Sequence, residues 1–91
     1  MSPIPTALTC LRNWPLGTHY GQSGGKHYLV SKTVFAAGRS IKLVAHERGG
    51  NDYISLCFYD LTAGPRLAPC EMPLDKVITF LSQLRREGNR G

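Results

Sequence analysis

Between Arg39 and Leu84 the hydrophobic period changes once: strand-like alternation, running through two clear turns, gives way at Met72-Pro73 to the spacing of one helical face. A chain patterned this way forms strands first and a helix last, and each must bury its apolar face against the other.

The strands follow from that alternation. Lys26 to Phe35 is rich in β-branched and aromatic residues and reads as the first. Ala36-Ala37-Gly38 then turns the chain into Arg39 to Glu47, where Ile41, Leu43 and Ala45 share one face and Lys42, Val44 and His46 the other. Gly49-Gly50-Asn51-Asp52 is a hairpin signal, because Gly and Asn accept positive φ cheaply. It leads into Tyr53 to Asp60, with Ile54, Leu56 and Phe58 facing one way and Tyr53, Ser55, Cys57 and Tyr59 the other. Past Thr62-Ala63-Gly64-Pro65, a fourth strand from Arg66 to Glu71 contains Pro69, which has no N–H for a ladder and so belongs at an edge.

Met72-Pro73-Leu74-Asp75 opens the helix, with Asp75 near the positive end of its dipole. Gly88 is expected to stop it, after Arg85 and Arg86 at the negative end. Leu74, Val77, Ile78, Leu81 and Leu84 form its apolar stripe. The expected fold is therefore α+β: a four-stranded, mainly antiparallel meander with one C-terminal helix packed on one face, over residues 26–91. Residues 1–25 hold three of the six prolines and four of the ten glycines and read as an irregular N-terminal arm. A short strand or a turn of helix around Ala7 to Arg12 is compatible with that arm, Gly21 to Gly25 read as a flexible joint, and Trp14 is expected to dock on the sheet.

Composition narrows the function. At 91 residues the chain is short for a large core, so pairing with a second copy would help its stability. No apolar run is long enough to span a membrane, and the N-terminus lacks the continuous apolar region of a secretory signal, so an intracellular, cytoplasmic protein is expected. Cys10, Cys57 and Cys70 have neither disulfide-framework nor zinc-cage spacing, and His19, His27 and His46 are scattered. No metal or cofactor is expected. Tyr20 and His27 break the phosphate-loop pattern around Gly21 to Lys26. Catalysis would have to rest on Cys57 with His46, a pairing without an orienting third group, and a non-enzymatic protein is the better expectation.

Eleven Lys and Arg against six Asp and Glu leave a net charge of +5 and a pI near 9.5, which favours an acidic partner. The sheet face that the helix leaves open is expected to carry Tyr53, Tyr59 and Lys42, with Tyr28, Lys26 and Lys32 if the first strand is in the matching register. Arg39, Arg48 and Arg66 extend its rim. Aromatic rings stack on bases while Lys and Arg neutralise phosphates, so this face suits nucleic acid, single strands above all. The basic end Arg85, Arg86 and Arg90 could add phosphate contacts.

Four strands followed by one helix, with a basic sheet face, resembles the single-stranded-DNA-binding transcription coactivator and whirly group. The resemblance rests on topology over residues 26–86 and implies a dimer. The alternative is a protein-binding module or inhibitor, of the kind phages and mobile elements encode, that docks the same face or the sheet edge on an acidic protein surface or larger assembly.

Overall fold

A computed structural model describes residues 4–61, 64–70 and 72–87. The element order is α1 (Ile4–Asn13), β1 (Gly17–Ser23), β2 (Lys26–Phe35), β3 (Ser40–Glu47), β4 (Tyr53–Leu61), β5 (Gly64–Pro69), α2 (Leu74–Gln83) and β6 (Arg85–Arg86). The fold is α+β with an antiparallel sheet and a C-terminal helix, as the change of period requires. The sheet has six strands rather than four, in the order β5-β4-β3-β2-β1-β6.

Both additional strands come from segments read as something else. The stretch expected to be an irregular arm holds α1 and β1, and the supposed joint Gly21 to Gly25 is the end of β1 and a tight turn into β2. Gly24 and Gly25 take φ of 60° and 82°, the left-handed pair that joins two strands through two residues. Gly21 stands in β1 for a different reason: the Trp14 indole and the Arg85 carbonyl occupy the space of a Cβ. Glycines serving a close approach read in sequence as a linker.

At the other end, α2 stops at Gln83, and Leu84 is already extended. Arg85 and Arg86, expected in the last helical turn, instead pair with Gln22 and Gly21. The Glu87 N–H then donates to the Tyr20 carbonyl at 3.2 Å. The unpaired edge of β1 supplies backbone partners that a fraying helix end would lack. Gly88 and Arg90 lie outside the described residues, as do Thr62, Ala63 and Glu71. The four-strand, one-helix order behind the coactivator and whirly resemblance is not the order found.

The core lies between one sheet face and the two helices. Val30, Leu43, Ala45, Ile54, Leu56 and Phe58 meet Val77, Ile78, Phe80 and Leu81 of α2, while Ala7 and Leu11 of α1 and the following Trp14 close the side that one helix could not cover. Burial of each large side chain contributes roughly 1.5 to 3 kcal/mol. Leu74, assigned to the stripe, is exposed, and Phe80 takes a core position instead, its ring edge-on to Tyr28 at 4.9 Å.

β5 is an edge strand, where Pro69 was expected to fit. The Cys70 N–H donates to the Ser55 carbonyl, so with Leu56 opposite Pro69 and Asp60 opposite Pro65, both prolines occupy positions whose N–H would point away from the sheet. Their missing donors cost the ladder nothing and blunt the edge against strand addition. No helix among the described residues is long and apolar enough to cross a membrane.

Candidate nucleic-acid interface

Register decides what the helix-free face displays. Across β3 and β4, His46 lies opposite Tyr53, Val44 opposite Ser55, Lys42 opposite Cys57 and Ser40 opposite Tyr59. On β2 the matching residues are Leu29, Ser31, Thr33 and Phe35, and on β1 they are Tyr20 and Thr18. Arg66 of β5 pairs with Tyr59 and completes the row. Neither helix covers these side chains.

Six of the expected residues fall on this face or next to it. Lys42 is exposed, and Tyr53 is 41% exposed with its ring stacked on His46 at 6.2 Å between centroids. Tyr59 is half-buried. Its hydroxyl is held above the ordinary tyrosine range, chiefly by the Cys57 thiol beside it, while the Arg66 charge pulls the other way. Arg66 itself is exposed. The Arg48 guanidinium sits over the Tyr20 ring, 4.3 Å from its centroid, and donates to Glu87 at 3.3 Å. Arg39, exposed in the β2–β3 turn, donates back to the Ala36 carbonyl.

Tyr28 is corrected. It lies on the opposite face, 3% exposed, and donates its hydroxyl proton to Asp52 at 2.9 Å. Burial first and the Asp52 hydrogen bond second push its pKa to about 12, so it stays a neutral donor. Lys32 also points inward, 6% exposed, and caps the end of α1 by donating to the Arg12 and Trp14 carbonyls at 3.0 and 2.7 Å. Burial lowers the pKa of its ammonium. Lys26 shares that face and approaches Asp52. The register of β2 is therefore the reverse of the expected one: Lys32 and Tyr28 are buried, and Leu29 faces outward.

Tyr20, His27 and Glu87 also lie on this face and were not foreseen. Glu87 accepts from both His27 and Arg48, and these contacts hold its carboxyl below the usual carboxylate range, with His27 the larger cause. Tyr20 was hidden because it belongs to a strand that read as part of an irregular arm.

The charges divide unevenly between the faces. Among the described acidic side chains, Glu47, Asp52 and Asp75 lie on the helix side, where Asp52 binds Tyr28 and Lys76 beside a groove of about 410 Å³. Only Glu87 reaches the open face, and two partners already engage it. Lys42 and Arg66 face no described carboxylate. Tyr53 and Tyr59 are six positions apart along β4, about 20 Å of extended chain.

Cys57 and His46 are not assembled as a catalytic pair. Cys57 is opposite Lys42 and His46 is opposite Tyr53, a displacement of four residues or about 13 Å. The described residues contain no group of three or more His, Cys, Asp or Glu placed to hold a metal. No protein-family model, no curated protein and no solved structure matches this chain.

Proposed function

We propose that the open face of the sheet binds nucleic acid, single strands in preference to duplex, without catalysing a reaction on it. The observation that carries this reading is the company the tyrosines keep. Tyr53 and Tyr59 stand on the open side of β4 with Lys42 and Arg66, on a face whose single described carboxylate is already paired. Phosphates meet cations without a competing negative charge, and unstacked bases meet ring faces. A duplex keeps its bases stacked inside and offers little to those rings.

Fluorescence-anisotropy titration against labelled single-stranded and duplex oligonucleotides tests this. Tyr53→Ala and Tyr59→Ala should each weaken single-strand binding about 5- to 150-fold, the range of one lost base stack, without unfolding the protein. Unchanged affinity in both variants would remove the face from consideration.

One observation favours a second reading, a protein-binding module. Leu29 and Phe35 are exposed on the same face, an apolar content suited to a protein interface with an acidic rim. Such a complex would keep most of its affinity as salt rises, whereas a nucleic-acid complex would lose it steeply.

A further inference from the structure

Where β6 ends beside β1, the open face is not flat. A hollow of about 390 Å³ lies there, bordered by Thr18, His19, Tyr20, Leu29, Arg86 and Glu87. Its size falls within the range of about 300 to 1,000 Å³ common among sites for small ligands. The ladder explains its walls. Tyr20 lies opposite Leu29, and the Glu87 N–H donates to the Tyr20 carbonyl, so Glu87 closes the outer side. Thr18, one pleat along β1, is short, and its hydroxyl is taken up by the Ser31 hydroxyl at 2.9 Å.

The Tyr20 ring is held from one side only. The Arg48 guanidinium covers one of its faces, 4.3 Å from the centroid, and Arg48 is itself held by Glu87, which His27 also engages. Tyr20 nonetheless keeps 55% exposure, the most of any described aromatic residue, which a ring covered on both faces could not. Arg48 does not border the hollow, so the bare face of the ring is the one turned toward it. Leu29, 38% exposed, adds an apolar surface beside the ring. Arg86 is exposed and pairs with no carboxylate among the described residues. A ring already fixed on one face loses little freedom when a flat partner stacks on the other. A base is such a partner, and it brings a phosphate for the nearby cation.

We infer that this hollow receives one unpaired base of a single strand: the base stacks on the bare face of Tyr20 against Leu29, and Arg86 takes the adjoining phosphate. The inference rests on the nucleic-acid reading of the open face and adds a third ring to it, at the opposite end of the row from Tyr53.

Photo-crosslinking to an oligothymidylate carrying iodouracil, read by mass spectrometry of the peptides, locates the contact without any substitution. Tyr20 should be among the cross-linked residues. Affinity then separates stacking from charge. Tyr20→Ala should lose about tenfold on the oligothymidylate, and nothing on a strand of the same length whose bases are replaced by abasic sites. Tyr20→Leu should match Tyr20→Ala, and Tyr20→Phe the wild type, with circular dichroism confirming the fold of each. Arg86→Ala should lose on both strands alike and make the salt dependence shallower by about 0.7. If cross-links form at Tyr53 or Tyr59 but not at Tyr20, or if Tyr20→Ala binds as the wild type does or loses equally on both strands, the hollow is overturned as a base site and the broader reading of the face survives. If the wild type binds neither strand, both are overturned.

Discussion

Gly21 is a glycine because of Trp14. A Cβ at that position would lie 2.7 Å from Cη2 of the indole and 3.3 Å from the Arg85 carbonyl, so the strand can pass only where there is no side chain. Gly21→Ala is expected to destabilise the protein by about 1 to 3 kcal/mol, the usual cost of overpacking, read as a lower urea midpoint at unchanged slope. Asp52 joins three elements by accepting from Tyr28 of β2 and Lys76 of α2 while itself following β3. The Lys76 hydrogen bond, the largest cause, holds its carboxyl below its ordinary value of 3.8. A carboxyl depressed on folding contributes stability above its unfolded pKa, and that contribution disappears as pH falls through the folded value. Asp52→Asn should therefore cost about 1 to 2 kcal/mol at neutral pH, and the difference from wild type should shrink on acidification below about pH 4. Equal losses at pH 7 and pH 2 in denaturant titrations would contradict that account. None of these pairings is visible in sequence, since Gly21 reads as part of a flexible joint, Trp14 as a docking residue of an irregular arm with no stated partner, and Asp52 only as a turn residue.

At the scale of elements, the strands with clean alternation and strong turns were legible. β3 and β4 follow the parity of Ile41 to Ala45 and Ile54 to Phe58, and Gly49 takes the positive φ expected of their connection. β2 was legible as a strand but not in its facing. Leu29 and Lys32 invert the rule that apolar residues face inward, because the Lys32 ammonium finds two carbonyls at the end of α1, a tertiary contact without a local signal. β6 escaped for a related reason: Arg85 and Arg86 suit a helix end, and only the free edge of β1 draws them out of it. The β2–β3 turn holds Ala36 and Ala37 at φ of 56° and 58°. Each left-handed alanine costs about 1 to 2 kcal/mol, which glycine avoids at some expense in unfolded-state entropy. Ala37→Gly should therefore stabilise the protein by about 0.5 to 1 kcal/mol and raise its melting temperature by about 4 °C. A lower melting temperature would mean that the turn does not hold this conformation.

At the scale of the molecule, two helices close one face of a six-stranded antiparallel sheet and leave the other bare. The sequence showed Lys42, Tyr53 and Tyr59 as one side of the sheet, because parity along β3 and β4 is local information, while Arg66, expected only at its rim, joins them from β5. It placed Tyr28 there wrongly and missed Tyr20, because facing in β2 and the existence of β1 depend on contacts with α1 and Trp14. The separation of charge has the same origin: three of the four described carboxylates lie with the helices, and the fourth is engaged by His27 and Arg48. That separation gives the basic character of the chain a direction, and the prolines of β5 blunt that sheet edge against strand addition. The most direct test is the affinity for a labelled single strand measured across a salt series, for the wild type, Tyr53→Ala, Tyr59→Ala and Lys42→Ala. The predicted result is a steep fall in log affinity with log salt. Lys42→Ala should make it shallower by about 0.7, and the two tyrosine variants should shift it downward at unchanged slope. Affinity that ignores salt, or tyrosine variants indistinguishable from the wild type, would contradict the assignment of this face to nucleic acid.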